Sequence, residues 1–461
     1  MTQADVVIVG GGPVGALLAV ELARAHVSVL VLEAATETVD VPKAGTIHAR
    51  SVQLLARRGY LPAPRPDAPP QTTDFHYAGF MGLQIEAPAG EGQPILGIAQ
   101  SELERQFHRM LTGFGHATVL RGAEVVDLSQ DETEATVHYR HDGQGRTVTA
   151  SWVVGCDGSR SITRQRAGFT AAETAATASA IIGLAPLESP RATPYGWTPG
   201  PQGWTVIQPN PFGLSRIATL DFHSPIPDRR TPATETEFAA TLERIAGRPI
   251  PIGRPSFLDR FSDYSRLVDA YRSGRVLLAG DAAHVHFPLG GQGLNLGIGD
   301  AIGLGWRLGA VVRGLAADSL LDTYSAMRHA AAKTVLENVA DQTVTMREAV
   351  GSISIPQRVA QILRVPAKNR RTGQMVSGQL APETATTDSL EPGRFLTNTA
   401  ISLPGSRSTS IIEELSKSID PIKLPPSMPN VDEYRLAPDG IIYCATELSR
   451  HTLSKGALIA P

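Results

Sequence analysis

Glycines clustered near carboxylates are the residues of this sequence that could bind a nucleotide cofactor. The first cluster, Gly10-x-Gly12-x-x-Gly15, separates a strand-like segment over residues 5–9, apolar from Val6 onward, from a helix-like segment over residues 13–26. Gly10 permits a tight turn, Gly12 lets the backbone approach a pyrophosphate, and Gly15 allows a helix to pack closely on a strand. Free N–H groups at the helix N-terminus favour an anion. This spacing predicts a dinucleotide site.

The next apolar segment, residues 27–32, ends at Glu33 and completes a strand–helix–strand unit. A carboxylate at this point can accept hydrogen bonds from a ribose 2′-hydroxyl, which suits FAD or NAD and disfavours a 2′-phosphate. A glycine pattern alone is common, whereas its combination with a strand, a helix and Glu33 is specific. We therefore predict that Glu33 and Ala34 bind a cofactor, together with Pro13 and Val14 at the start of the helix.

Two further motifs place an aspartate after an apolar strand. Residues 152–154 precede a D-G-x-x-S-x-x-R pattern that begins at Asp157, and residues 275–280, which indicate a buried strand, end in Gly280 and are followed by Asp281. An isolated Asp-Gly or Gly-Asp pair is an ordinary turn signal. At a strand end, however, the carboxylate can bind a ribityl hydroxyl, and the glycine-rich turn that follows can present N–H groups to a flavin ring. The predicted binding residues of this third motif are Asp281, Pro288, Gly291, Gln292, Gly293, Leu294 and Asn295.

In this order and spacing, the three motifs resemble the class A flavoprotein monooxygenases, the para-hydroxybenzoate hydroxylase group, over about residues 4–345. Residues 276–284 and 321–324 are most similar to the aromatic polyketide hydroxylases of antibiotic pathways. The resemblance implies bound FAD, NADPH or NADH as a transient co-substrate, and O2. It also implies oxygen transfer through a C4a-hydroperoxyflavin to a polycyclic aromatic substrate of the anthraquinone or angucyclinone type.

The same resemblance implies three more binding residues. Gln100 matches a position beside the flavin, the backbone of Val125 matches one that meets the adenine, and Asp157 belongs to a motif linked to both FAD and NAD(P)H. We find no second glycine motif of this kind that would indicate a separate NADPH domain. Because the cofactor supplies the chemistry, we assign no catalytic side chain. Baeyer–Villiger oxygenation of the same substrate class remains an alternative.

The sequence departs from the family pattern at several positions. Lys43 stands where the family has arginine, and it keeps the charge but loses the planar fork; Arg50 either shares that role or is a solvated helix residue. Gly299 and Gly303 replace larger polar residues, and residues 327–330 replace Glu-Arg-x-Pro. These departures leave open a catalytically weakened flavoprotein that binds an aromatic ligand or a partner enzyme. The halogenase motif W-x-W-x-I-P is absent.

Local patterns predict the elements around these motifs. Residues 51–58 indicate a helix, and a capping box of Ser101 and Glu104 predicts a helix from there to about residue 114. Residues 134–140, 204–208 and 214–222 indicate strands. The helix after the third motif carries small residues at intervals of four, which predict close packing against another element; they are Gly297, Ala301, Gly305 and Gly309.

The expected fold class is α/β, with a Rossmann-like FAD-binding domain assembled from residues 1–71, 97–174 and 269–345. Residues 72–96 and 175–268 are expected to form an inserted β-sheet domain for the substrate. Residues 346–394 are expected to be a helical segment. Residues 395–461 resemble a shortened thioredoxin-like domain without a C-x-x-C motif, so a redox role for this tail is not expected.

Composition restricts the function classes further. The chain has 461 residues, and its net charge of -3 gives no reason to expect a nucleic-acid partner. It has two cysteines and no apolar run long enough for a bilayer, so we expect a cytoplasmic protein without a disulfide framework or a membrane partner. His284-x-His286 is not expected to bind a metal. An aromatic content of 5% suggests a pocket with aliphatic walls.

Overall fold

The structure is a computed structural model, which describes residues 2–40, 45–61, 71–87, 92–228, 231–352, 354–379, 434–436 and 442–444. Lys43, the Pro-rich connector over residues 62–70 and most of the predicted tail lie outside these residues. None of the helices in the described part of the chain is long and apolar enough to cross a membrane. The helices are α1 (Pro13–Arg24), α2 (Ala49–Arg57), α3 (Gln100–Leu111), α4 (Ile162–Arg166), α5 (Glu235–Ala246), α6 (Gln292–Val312), α7 (Leu320–Glu348), α8 (Gln357–Arg364) and α9 (Pro366–Val376).

The strands fall into one large sheet, one antiparallel five-stranded sheet and several smaller pairings. They are β1 (Thr2–Val9), β2 (Val29–Glu33), β3 (Thr46–His48), β4 (Gln71–Tyr77), β5 (Phe80–Ala87), β6 (Ile95–Gly97), β7 (Ala117–Arg121), β8 (Glu124–Gln130), β9 (Ala135–His141), β10 (Gln144–Gly155), β11 (Ala171–Thr174), β12 (Ser179–Ala185), β13 (Gly196–Pro199), β14 (Gly203–Gln208), β15 (Ser215–Asp221), β16 (Phe257–Ser262), β17 (Ser265–Val268), β18 (Arg272–Ser273), β19 (Val276–Leu278), β20 (His284–Val285), β21 (Tyr434–Leu436) and β22 (Ile442–Cys444).

The large sheet has a parallel centre. Strands β7, β2, β1, β10 and β19 lie side by side in that order, and each neighbouring pair is parallel. Val6, Val7 and Ile8 of β1 are fully buried, as expected for a strand covered on both faces. Since β1, β10 and β19 run in the same direction, the turns after all three open at one edge of the sheet. Those turns carry the three motifs.

Helices α1 and α6 pack against each other beside this sheet. A Cβ atom added to Gly297 would lie 2.6 Å from the Val14 side chain, and one added to Gly305 would lie 2.5 Å from Glu21. One added to Gly309 would lie 2.9 Å from Ala25. The stripe of small residues is therefore the contact surface for α1, and the prediction of close packing is confirmed.

The five-stranded antiparallel sheet has the strand order β13-β14-β15-β12-β16. Alternate side chains of its strands point to opposite faces. Ile181, Ile207 and Ile217 pack with Phe238 of α5 on one face. The other face belongs to a second cluster that includes residues of the β4–β5 hairpin and of α7, α8 and α9. The boundaries between domains stay a prediction.

The helix starting near residue 100 differs from its prediction. Helix α3 begins at Gln100 and ends at Leu111, with Ala99 as its N-cap and no side-chain cap. The predicted capping box is wrong because Ser101 lies inside the first turn, where it is buried. Glu104 instead accepts a hydrogen bond from the Thr38 hydroxyl at 2.6 Å.

Other predicted elements shift by a few residues. The second strand begins at Val29 rather than at residue 27, and the helix predicted over residues 51–58 is α2. The buried strand predicted over residues 275–280 ends at Leu278, because a 3-10 turn occupies Gly280–Ala282. In the tail, the described residues form only the antiparallel pair of β21 and β22.

Candidate active site

A cavity of about 890 Å³ extends from the turns of the three motifs to the five-stranded sheet. Residues far apart in the sequence meet in its wall because the turns after β1, β10 and β19 lie at one edge of the large sheet. Most of the predicted cofactor-binding residues line it. They are Gly10, Gly12, Pro13, Val14, Glu33, Ala34, Gln100, Val125, Asp157, Asp281, Pro288, Gly291, Gly293 and Leu294.

Four of the remaining predicted residues are described by the structure and do not line this cavity. Gly15 lies inside α1, where an added Cβ would be 2.0 Å from the Gly10 carbonyl oxygen. Arg50 donates from Nη1 to Gln53 at 2.9 Å. The amide of Asn295 joins two segments, since its Oδ1 accepts from the His48 N–H at 2.8 Å and its Nδ2 donates to the Thr46 carbonyl at 3.0 Å. Gln292 is buried, and Lys43 lies outside the described residues.

Two helices point uncapped N-termini at the cavity. The N-cap residues are Gly12 for α1 and Gly291 for α6, and neither helix has a side-chain cap. Hydroxyl oxygens of Ser161 and Thr234 cap α4 and α5, whereas α2, α3, α7, α8 and α9 also lack a side-chain cap, so α1 and α6 are distinguished by N-cap residues that line the cavity. Backbone N–H groups in the first turn of a helix need an acceptor. At α1 and α6, a ligand in the cavity can supply it.

The three motif carboxylates differ in their hydrogen bonding. Glu33 accepts from the backbone N–H groups of Gly11 at 2.5 Å and Ala35 at 2.7 Å. Asp157 accepts from the Ser161 hydroxyl at 2.5 Å and the Thr163 N–H at 3.0 Å, so it holds the start of α4. The Asp281 carboxylate is exposed toward the cavity and has no hydrogen bond or ion pair with any described residue. Asp281 is thus the carboxylate available to a ligand.

A buried cluster of charged side chains contacts the backbone of the third motif at Gly280, the residue before Asp281. Asp300 of α6 accepts from the Gly280 N–H at 2.9 Å, from His284 at 2.8 Å and from Arg328 at 2.6 Å. Burial acts to raise the pKa of Asp300, but Arg328 and His284 outweigh it, and the pKa lies below its usual value. Asp300 was not among the residues predicted from the sequence, although a single carboxylate within an apolar helix is a usable signal.

The departure at Gly299 has a structural explanation. A Cβ atom there would lie 2.8 Å from Nη2 of Arg328 and 3.2 Å from its Cζ. Arg328 itself donates to Asp300 and to the Leu296 carbonyl at 3.0 Å. The small residue therefore leaves room for the arginine that neutralises the buried aspartate.

Aromatic side chains form much of the cavity wall away from the motif turns. Phe75, Trp197, Phe257 and Phe261 line it, together with His76. The His76 ring lies 4.6 Å from the Phe75 ring and 4.4 Å from the Trp197 ring. Aliphatic residues line the same cavity, so the expectation of aliphatic walls holds only in part, and aromatic side chains share the wall. Strand pairing brings them together, and no local pattern reveals it.

Two histidines near this wall are held neutral. His48 donates from Nε2 to the Gly290 carbonyl at 2.6 Å, and burial lowers its pKa to about 4. Burial, followed by the nearby His48, lowers the pKa of His76 to about 3. Since Nδ1 of His76 accepts from the Gly79 N–H at 3.3 Å, its proton lies on Nε2. A neutral donor is therefore available beside the aromatic rings.

The described residues contain no group of side chains that could hold a metal ion. His284 is used by Asp300, and His286 contacts the Phe287 carbonyl at 2.7 Å through Nδ1. Cys156, beside the glycine turn, is a free thiol whose pKa is raised by burial. Neither histidine nor this cysteine forms a metal or redox centre with described neighbours.

The sequence profile of the FAD-binding domain family matches residues 3–339. This chain belongs to that family. The matched range contains all three motifs and every residue that lines the cavity. The structural observations fit FAD, since uncapped helix N-termini, the preorganised Glu33 and the free Asp281 share one cavity.

Named relatives refine this assignment. A 12-dehydrotetracycline 5-monooxygenase/anhydrotetracycline 6-monooxygenase of Streptomyces rimosus is 34% identical over 387 residues, which cover 81% of this chain and 76% of that protein. The crystal structure of CabE, an aromatic hydroxylase from angucycline biosynthesis, has a TM-score of 0.79 and 29% identity, covering 99% of this chain and 100% of that one. These matches identify an FAD-dependent aromatic monooxygenase with the expected α/β, Rossmann-like FAD domain.

One relative carries a different activity in its name. A dialkyldecalin synthase of Streptomyces rugosporus is 33% identical over 379 residues, covering 81% of this chain and 80% of that protein. A relative of this similarity is therefore named as a synthase and not as a monooxygenase.

Proposed function

We propose that this protein hydroxylates a polycyclic aromatic substrate of the anthraquinone or angucyclinone type, with NADPH or NADH and O2 as co-substrates. The observation that carries this proposal is the single cavity that joins the cofactor motifs to an aromatic wall. Ligand pockets of roughly 300–1,000 Å³ are usual for small molecules. The relatives named for tetracycline and angucycline chemistry support a fused-ring substrate.

Residues along the cavity would hold FAD in a defined direction. Glu33, Ala34 and Val125 lie together near the end of β2 and would hold the adenosine part. Backbone N–H groups after Gly12 would bind the pyrophosphate. Asp281 would accept hydrogen bonds from the ribityl chain. Gly291, Gly293 and Leu294 would meet the flavin ring. When bound, FAD would accept a hydride from NAD(P)H and, in its reduced form, activate O2.

The contribution of the chain itself is binding, orientation and exclusion of water. Aromatic rings favour offset or edge contacts with a flat substrate, and Phe75, Trp197 and Phe261 offer such surfaces. The Nε2–H of His76 can donate to a carbonyl or phenolic oxygen without adding charge. Apolar rings on this wall would limit the access of water to the reacting atoms.

The cofactor assignment is tested by the flavin itself. We expect one non-covalent FAD per chain, and the chromophore released by denaturation should co-elute with FAD in chromatography. Detection of FMN, or of no flavin after reconstitution with FAD, contradicts the assignment.

The substrate assignment is tested by NAD(P)H oxidation with a panel of phenols, anthraquinones and angucyclinones. We expect fused-ring phenols or quinones to accelerate oxidation and a monocyclic benzoate to work poorly. Without substrate, slower oxidation should end in hydrogen peroxide. Product analysis separates hydroxylation from Baeyer–Villiger insertion, because only the latter yields an ester or lactone that base hydrolyses.

A second candidate is a flavoprotein that binds a polycyclic ligand or a partner enzyme without oxidising a substrate. The dialkyldecalin synthase relative favours it. Under this alternative, a ligand that binds the cavity would leave NAD(P)H consumption unchanged. Measuring ligand binding and NAD(P)H consumption with the same ligand therefore distinguishes the two candidates.

A further inference from the structure

The antiparallel sheet places one arginine in the middle of the substrate side of the cavity. Arg216 lies on β15, the central strand of the order β13-β14-β15-β12-β16. Its cross-strand neighbours are Gln208 on β14 and Leu184 on β12. Arg216, Gln208, Trp197 and Phe257 all line the cavity. A flat ligand that crosses this wall must therefore pass the guanidinium.

Arg216 is partly buried and has no partner among the residues that the structure describes. Its guanidinium has no hydrogen bond, ion pair or ring contact with any described residue, and burial lowers its pKa. An arginine stays protonated under these conditions. Three other arginines of the same sheet and of its connections are paired with carboxylates: Arg244 with Asp221, Arg254 with Glu235, and Arg260 with Glu237.

Asp259, a carboxylate on the same wall, does not neutralise Arg216. Asp259 lines the cavity from β16, and β12 lies between β16 and β15, the strand of Arg216. No ion pair joins Asp259 to Arg216. Removing a charge from water without a counter-charge is unfavourable. The arrangement is therefore complete only when a ligand brings an acceptor to the guanidinium.

We propose that Arg216 binds an anionic oxygen group of the aromatic substrate, such as a carboxylate, a phenolate or the enolate of a β-dicarbonyl. The planar guanidinium fork matches two neighbouring oxygens. The ring system then lies between Trp197 at one edge of the sheet and Phe257 at the other. This inference rests on the proposed function, because it takes the cavity to be the substrate site, and it makes the substrate an acidic polycycle.

Anthraquinone-2-carboxylate and its methyl ester are suitable probes, since they share their rings and differ in one charge. Calorimetric titration of the FAD-loaded wild type should show tighter binding of the carboxylate. Arg216→Met should weaken carboxylate binding by about 10- to 100-fold, the range for hydrogen bonds to charged groups. Ester binding should change by less than about threefold and thereby report a correctly folded pocket. Arg216→Lys should fall between, since it keeps charge without the fork.

Arg254→Met is the matched control, because Arg254 is an exposed arginine outside the cavity, paired with Glu235 at 3.0 Å. It should bind both probes as the wild type does. A wild type without preference for the carboxylate, including one that binds neither probe, overturns the proposal. So does an Arg216→Met variant that loses both probes equally. If the charge preference follows Arg216 but no polycycle ever gains oxygen, the proposed function fails while this assignment stands.

Discussion

Asp281 and Asp157 both follow parallel strands, yet only Asp281 has a carboxylate free for a ligand. Asp157 is satisfied by Ser161 and Thr163, and it holds the start of α4. Asp281 faces the cavity without a described partner. The sequence predicts which of these residues reach the cavity. It does not predict which carboxylates remain free to bind a ligand, because their hydrogen bonding depends on contacts with neighbouring turns.

Asp281→Ala should therefore weaken FAD binding by about tenfold or more, the effect of losing a hydrogen bond to a charged group. Titration of the apoprotein with FAD measures this. Asp127→Ala is the control, since Asp127 is exposed and its pairing with Arg166 at 3.2 Å is a surface contact of small effect. Equal affinities in the two variants would remove Asp281 from the FAD site.

The neutral His48 predicts acid sensitivity. Its pKa is about 4 in the folded chain, against 6.5 ordinarily, because burial disfavours the charged ring. Between these values the unfolded chain binds the extra proton, so stability is complete above pH 6.5 and falls as the pH drops toward 4. The loss attributable to His48 is on the order of 2–3 kcal/mol at pH 4.5.

Urea unfolding of the apoprotein at pH 7 and pH 4.5 measures that loss. His48→Gln should reduce the difference between the two free energies of unfolding, whatever its effect at pH 7. An unchanged difference would show that His48 is not buried and neutral.

At the scale of elements, the first glycine turn separates two functions. Gly12 is the N-cap of α1, and a Cβ there would have nothing within 4 Å. A Cβ on Gly15 would lie 2.0 Å from the Gly10 carbonyl oxygen. Gly12 thus leaves space for a ligand, whereas Gly15 lets the helix approach the turn.

Gly15→Ala should lower the free energy of unfolding of the apoprotein by about 1–3 kcal/mol or more, as overpacking does. Gly12→Ala should change it by about 0.5 kcal/mol or less, yet it should weaken FAD binding because the methyl group enters the cavity. Urea unfolding and FAD titration of both apoproteins distinguish these effects. A Gly12→Ala variant with unchanged FAD affinity would contradict close backbone approach at this turn.

Sequence patterns predicted elements whose cause is local. The small residues of α6 and the first strand–helix–strand unit are examples, since spacing alone defines their faces. The capping box of Ser101 failed because α3 begins before Ser101, and Glu104 forms a tertiary contact with Thr38 instead. The aromatic wall and the position of Arg216 were not predictable, because they depend on the register of paired strands.

At the scale of the whole molecule, the cavity spans two architectures. The parallel sheet supplies turns and helix N-termini for a nucleotide, and the antiparallel sheet supplies a broad aromatic surface together with the guanidinium of Arg216, which has no partner among the described residues. Neither part forms the site alone. Under the proposed function, ligand binding at the antiparallel sheet is therefore coupled to cofactor chemistry at the parallel sheet.

Turnover under isotopically labelled O2 tests this coupling most directly. With NADPH or NADH and a polycyclic phenol or quinone that binds the cavity, we expect faster NAD(P)H oxidation and a product whose mass includes one labelled oxygen atom. A polycyclic ligand that binds the FAD-loaded protein, but neither accelerates NAD(P)H oxidation nor acquires label, would contradict the proposed hydroxylation.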